Sequence, residues 1–467
     1  MSRGGNRLKK SVVSIALATT LSFGAVGLQP AIAGAPEPGK ELLQNPHERN
    51  LIKKIDPERI YQTIDHLQQT PRVAGTESEA NAIRFVKRQF ESYGYDVTLQ
   101  PFTFIGYTAP TAIELSGVEG EWNPDAFTYS VSGDVSGELV SAGLGRVGDF
   151  DGVDVEGKIV LIQRGEITFA QKIINASEAG AAGVIIYNNT DGSLSGTLGE
   201  ADDRYIPAIT LSKAEGEELG RHIGETVRLT IEGAETSERT SHNVIASKAP
   251  VNKKKATDDV LIIGAHHDSV EGAPGANDDA SGTAVTLELA KVFKNVPTDT
   301  EIRFITFGAE ELGLLGSYHY VDSLPQKERN RIIGYFNLDM VGSRDAGDLV
   351  LRTLDGSPNL VTELSQAASE RLNGFPTPIG EGGRSDHVPF AEEGIPAGAF
   401  IHSPFEPWYH TPEDTIDKIS KEKLQDVAEI VGAAVYEQAR PDHQGPKPKS
   451  ASKVKASKDS VHEKNIR

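Results

Sequence analysis

Residues 264–282 read GAHHDSVEGAPGANDDASG. Six ionisable side chains stand in this otherwise small-residue segment: His266, His267, Asp268, Glu271, Asp278 and Asp279. Imidazole and carboxylate are the groups that hold a zinc-like cation. A solvated turn accommodates the same groups, so the segment alone leaves both readings open. Further candidates recur downstream: Glu310 and Glu311 in FGAEELGLLGS, Asp339 in NLDMVG, and His410 in WYHTPED. The chain contains no cysteine. Disulfides, thiolate metal sites and cysteine nucleophiles are thereby excluded, and any metal must be held by His, Asp and Glu. Two histidines and three acids suit two zinc ions, because one carboxylate bridges two metals and each metal keeps a position open for water. Two Lewis acids ~3.5–4 Å apart polarise a carbonyl and generate hydroxide near neutral pH. A free carboxylate beside them takes the water's proton and returns it to a leaving amine. The adjacent pair Glu310-Glu311 fits that division of labour, since neighbouring residues point in different directions.

These groups are useful only if the fold brings them together. Residues 260–265 (VLIIGA) predict a buried strand, and 281–293 a helix with Val285, Leu289, Val292 and Phe293 on one side. Strands are expected again at 302–307, 332–338 and 397–401. Strands alternating with helices imply an α/β fold, a mixed and largely parallel sheet covered by helices on both faces. Ligands bind such sheets where loops leave the carboxyl ends of strands. Each candidate falls just past one of these strands, which favours the metal reading. A cation would remove the cost of packing the carboxylates side by side. Upstream, 56–69 and 77–93 predict helices, the second ended by Gly94, and 97–104 a strand. Between about 130 and 238 the character changes to short β-like runs and Gly-rich turns, with His222 the one histidine and no catalytic cluster. This stretch is expected to be a β-rich domain inserted between the two parts of a catalytic domain, 45–129 and 239–440.

The segments HHDS, GANDDASG, FGAEELGLLGS, NLDMVG, GRSDH and WYHTPEDT together resemble the secreted bacterial double-zinc aminopeptidases (leucyl/arginyl type) of the transferrin-receptor/glutamate-carboxypeptidase superfamily. The insert resembles a protease-associated (PA) domain. The resemblance implies a zinc exopeptidase fold, two zinc ions per chain, and peptide substrates with a free N-terminus. It implies that Asp278 bridges the metals, that His266 and Asp339 complete one, and that Glu311 and His410 complete the other. Glu310 would be the general base, Asp268 would orient His266, Tyr409 would stabilise the oxyanion, and Arg384 would line the substrate cleft. Carboxypeptidases and glutaminyl cyclases share the scaffold and are the alternatives. Receptor-like relatives lose metal ligands, whereas every ligand is present here. Asp279 receives no role, Glu271 is expected in solvent, and His267, His319, His387 and His402 are expected to be structural.

The 467 residues are 38% hydrophobic and 24% charged, with a net charge of −20. Arg3, Arg7, Lys9 and Lys10 precede an apolar run at 12–28 and Ala31-Ile32-Ala33, the layout of a signal peptide over 1–33. A polar leader (34–44) follows. The tail (441–467) holds seven Lys or Arg against three acids. It is expected to be a solvated, disordered end, with cell-wall association as the alternative. The body between these basic ends is more acidic than the chain as a whole, which argues against nucleic acid as a partner. A secreted monomer is expected, with no stable membrane insertion after signal cleavage. The preferred N-terminal side chain, Leu or Arg/Lys, stays open.

Overall fold

The computed structural model describes residues 45–252, 254–441 and 443. The expected signal peptide and leader lie outside the described residues, as does the tail apart from 441 and 443. In chain order, helices α1 (Pro46–Ile52), α2 (Pro57–Leu67) and α3 (Glu77–Ser92) precede strands β1 (Val97–Thr108), β2 (Ala112–Ser116), β3 (Asp125–Ala126), β4 (Gly133–Ser141) and β5 (Ile159–Gln163). Then come α4 (Phe169–Glu178), β6 (Gly183–Tyr187), β7 (Ala208–Leu211), α5 (Lys213–Leu219), β8 (Thr226–Glu232), β9 (Glu235–Lys248) and β10 (Val260–His266). The remainder runs α6 (Ala280–Phe293), β11 (Glu301–Phe307), α7 (Leu315–Ser323), α8 (Gln326–Arg329), β12 (Ile332–Leu338) and β13 (Asp348–Thr353). It ends with α9 (Leu360–Asn373), β14 (Ile379–Glu381), α10 (His387–Glu392), β15 (Ala397–Ser403) and α11 (Lys421–Ala439).

Eight strands form the large sheet in the order β1-β9-β11-β10-β12-β15-β13-β14. Its centre, β11-β10-β12-β15, is parallel, while β1, β9 and β13 pair antiparallel on its flanks. Alternate residues of β10 serve opposite cores. Leu261, Ile263 and Ala265 pack with α2, α6 and α11 residues such as Ile64, Leu289 and Val431. Val260 and Ile262 pack on the other face with Phe307, Tyr320 of α7 and Phe390 of α10. Burial on both faces explains why these strands read as continuous apolar runs. The mixed α/β sheet with helices on both sides is the fold class expected from the sequence.

The second sheet has seven strands, β2-β8-β4-β5-β6-β7-β3. It lies wholly between β1 and β9, whose paired backbones (Thr108 opposite Glu235) form its base. The expected start of the insert at 130 leaves out two of its strands: β2 pairs with β8, and β3 with β7. Leu115 of β2 is buried against this unit's core, beside Leu229 and Ile231. The partners of β2 and β3 lie about a hundred residues downstream, so the local pattern around them carries no sign of the pairing.

Candidate metal centre

The four parallel strands all end at one edge, and each end delivers a group. β10 finishes at His266, β12 leads into Asp339, β11 leads into Glu310 and Glu311, and the loop after β15 carries Tyr409 and His410. Asp278 is presented by the loop between β10 and α6. Asp279, the N-cap of α6, accepts the Gly282 N–H at 2.9 Å and fixes where that helix begins. Gly282 lets α6 come close to the end of β12, since a Cβ there would lie 2.1 Å from the Leu338 carbonyl oxygen.

The structure sorts five side chains into two donor groups, His266/Asp278/Asp339 and Asp278/Glu311/His410. Asp278 belongs to both. Its Oδ1 lies 3.2 Å from His266 Nε2, and its Oδ2 lies 3.2 Å from His410 Nε2. Asp339 Oδ1 is 3.8 Å from His266 Nε2, and Glu311 Oε2 is 3.0 Å from His410 Nε2. Two donors each ~2.1 Å from one zinc ion must lie within ~4.2 Å of each other, and all four separations meet that condition. Glu311 Oε1 is buried without a hydrogen-bond partner. The donor set therefore fits zinc by chemistry and by spacing. Glu310, though adjacent to Glu311, joins neither group.

Charges confirm how tightly the groups are held. Burial opposes charge on Asp278, yet hydrogen bonds with His266 and His410 outweigh it and hold its carboxyl below the usual range. Glu311 is pushed up to about 7, first by burial and then by the Asp278 charge. Burial disfavours a proton on His410, but Asp278 and Glu311 prevail and raise it to about 10. Burial likewise opposes His266, while Glu310 and the other surrounding carboxylates raise its pKa well above normal. Protons on the two imidazoles thus stand where a cation would, and metal binding is coupled to their release.

Three carboxylates turn away from the donor groups and fasten the backbone that carries them. Asp268 accepts the Glu310 and Glu311 N–H groups at 3.1 and 3.2 Å, and its Oδ1 lies 3.5 Å from His266 Nδ1. Besides Gly282, Asp279 accepts the His266 and Met340 N–H groups, both at 3.2 Å. Asp414 accepts the Asn277 and Asp278 N–H groups at 2.8 and 3.0 Å. Sequence reasoning gave Asp279 no role and passed over Asp414. Neither the doubled acid of NDDAS nor the last acid of HTPED carries a local mark of these long-range bonds. Tyr409 is 40% exposed, and its ring stacks on His410 with centroids 3.7 Å apart. Burial raises its hydroxyl pKa, so it stays protonated. Arg384 is exposed in the loop before α10, and no contact ties it to either donor group, whereas Ser385, Asp386 and His387 of the same motif are buried.

The other histidines lie elsewhere. His267 is buried on the opposite side of the strand end, its Nδ1 3.0 Å from Thr306 Oγ1. His387 Nε2 is 2.7 Å from the Gly382 carbonyl oxygen, His319 packs on Phe102, and His402 is buried. Glu271 is exposed.

The loop tolerates little change. Gly275 has φ +63°, and a Cβ there would lie 2.3 Å from the Asp278 carbonyl oxygen and 2.8 Å from Ser269 Cβ. Gly275→Ala is therefore expected to cost about 2 kcal/mol or more. Denaturant unfolding of the metal-stripped protein checks it; an unchanged midpoint would show that the loop has room to shift.

The mixed α/β sheet with candidate donor groups at its strand ends, together with the second, inserted sheet, is matched by a family of peptidases. The chain belongs to peptidase family M28, whose family model matches residues 243–435, and it carries a PA domain, matched over 135–219. It is a hydrolase acting on peptide bonds. It is 40% identical over 465 residues to aminopeptidase YwaD of Bacillus subtilis, covering 96% of this chain and 98% of that one. It is 31% identical to the probable leucine aminopeptidase 2 of Arthroderma benhamiae, with 93% of each chain covered. Among solved structures, an aminopeptidase from Aneurinibacillus sp. strain AM-1 superposes with a TM-score of 0.77 at 54% identity, covering 87% of this chain and all of that one. The zinc aminopeptidase BSAP from Bacillus subtilis superposes with a TM-score of 0.68 at 40% identity, covering 86% and 99%.

Proposed function

We propose that this protein is a secreted, two-zinc aminopeptidase that removes N-terminal residues from peptides. The observation that carries the reading is Asp278, which turns one carboxylate oxygen to each donor group while Glu310 stays outside both. The names of the relatives, aminopeptidase and zinc aminopeptidase, point the same way. In this reading His266, Asp278 and Asp339 hold one zinc, and Asp278, Glu311 and His410 hold the other. When bound, the pair supplies Lewis acidity toward a peptide carbonyl and its attacking water. Glu310 takes the water's proton and hands it to the leaving amine. Burial raises its pKa well above normal in the metal-free site, and cations held beside it would favour the deprotonated form that accepts a proton. The Tyr409 hydroxyl donates to the oxyanion. Asp268 holds the Glu310 and Glu311 backbones and faces His266 Nδ1, setting base and ligands in register. Arg384 is assigned to the outer cleft, where its exposure leaves it free to meet substrate.

The inserted PA unit is taken to occupy the span between β1 and β9. The basic, apolar and Ala-x-Ala pattern of residues 1–33 supports secretion. Among the described residues no helix is long and apolar enough to cross a membrane.

The test is hydrolysis of Leu, Arg, Lys and Ala anilides, each with a free or acetylated amine, before chelation, after it, and after zinc return. Cleavage of the free-amine forms alone, lost on chelation and restored by zinc, is expected. Equal cleavage of acetylated substrates would overturn the amine-end assignment, and indifference to chelation would overturn the metal.

A further inference from the structure

Arg72 lies between α2 and α3, in the sequence TPRVAG, and is only 1% exposed. Its guanidinium donates to four backbone carbonyls. Nε reaches the His267 oxygen at 2.8 Å, Nη1 reaches Pro274 at 2.6 Å and Leu67 at 3.2 Å, and Nη2 reaches Gly275 at 2.9 Å. Its backbone N–H donates to Ser269 Oγ at 2.9 Å, and its carbonyl accepts the Ser269 N–H at 3.3 Å. Three of the four carbonyls belong to the loop that joins His266 to Asp278. One lies directly after His266, and another lies three residues before Asp278. A single planar fork therefore brackets both limbs of the loop. The loop's other ties sit at its two ends, where the His267 N–H donates to the Phe307 carbonyl and Asp414 accepts the Asn277 and Asp278 N–H groups; Arg72 is what joins one limb to the other. The guanidinium's charge also interacts favourably with the carboxylates of Asp414, Asp268, Asp279 and Asp278. Those four acids would otherwise repel one another in a poorly solvated interior.

We propose that Arg72 is a positioning residue for the metal centre: its guanidinium fork holds the 267–278 loop in its ligating shape before any cation arrives. The inference rests on the zinc reading above. It makes Arg72 a determinant of metal affinity as well as of the fold. Lysine does not replace it, because one ammonium cannot reach the two limbs of the loop in a fixed plane.

The experiment uses the full chain as wild type, R72K and R72M. Each is stripped with chelator and titrated with zinc against a competing chromophoric chelator, and unfolding temperatures are read for the stripped and loaded forms. Outer partners of metal ligands commonly control roughly 10–100-fold in affinity, and a loss in that range is expected for both variants. The rise in unfolding temperature on adding zinc should shrink in both as well. R72K with wild-type zinc affinity overturns the fork. Equal lowering of the stripped and loaded unfolding temperatures, at wild-type affinity, reduces Arg72 to a packing role and overturns the proposal. Should the variants fail to fold, hydrogen exchange on the stripped wild type decides: the Ser269 amide, which donates to the Arg72 carbonyl, is expected to be protected without zinc, and rapid exchange there overturns preorganisation. A wild type that takes up no zinc sinks the proposed function and this inference with it. A wild type that takes up two zincs, beside variants that match it, sinks this inference alone.

Discussion

Glu310→Gln is expected to lower kcat by roughly 10²–10⁴-fold while leaving the zinc content unchanged. The substitution keeps shape and volume while it removes the negative charge and with it the ability to accept a proton. The geometry separates Glu310 from its neighbour. Ala309 has φ +53°, which turns the chain sharply after β11, and Asp268 then holds the Glu310 and Glu311 N–H groups with its two oxygens. The two side chains leave that anchored backbone in different directions. Glu311 comes within 3.0 Å of His410 Nε2, and Glu310 stays buried outside both donor groups. Glu311→Gln should consequently show the opposite signature, with zinc lost from one site first. Turnover and metal analysis on the two variants side by side make the check. Full activity in Glu310→Gln would remove it as the base, and zinc loss there would make it a ligand.

The contrast between these neighbours shows what local sequence carries and what it does not. His266, Glu311 and Asp339 were legible because each sits just past a run of buried apolar residues, and such runs mark strand ends in an α/β sheet; Asp278 and His410 lie further out, in the loops that follow. Burial on both faces is a local property, written in 260–265 and 302–307 as uninterrupted apolar stretches. The residues that hold the donors in place were far less legible. Asp279 looks like a spare acid beside Asp278. Only the fold reveals that it gathers the amides of His266, Gly282 and Met340, the last of these 61 positions away. Arg72 reads as a turn residue, and its acceptors lie some two hundred positions downstream. Strands β2 and β3 went to the wrong unit for the same reason, since pairing across that distance leaves no mark on either segment. The motif GRSDH pointed to Arg384, which is exposed, while Ser385, Asp386 and His387 of the same motif are buried. Long-range hydrogen bonds, unlike periodicity, have no local signature.

Asp278→Asn should have the widest effect of any single change at the site: loss of both zinc ions and, with them, of activity. A carboxylate offers an acceptor oxygen to each side, and here the two are divided, Oδ1 toward His266 Nε2 and Oδ2 toward His410 Nε2. An amide offers one acceptor and one N–H donor, so one of the two groups must face a donor where it needs a lone pair. The net negative charge that both groups share is lost as well. Affinity at both sites is therefore expected to fall by more than the roughly 10–100-fold that outer partners of a ligand control. Asp339→Asn and His410→Gln each touch a single group, so each should leave one ion in place. Metal analysis of the three purified variants distinguishes a shared ligand from two independent sites. If Asp278→Asn keeps one zinc at wild-type affinity, Asp278 serves only one group, and the pair of sites must be joined by something else. If it keeps neither while the other two variants keep one each, the two ions depend on a single side chain, held by the Asp414 hydrogen bonds to its own and the preceding amide.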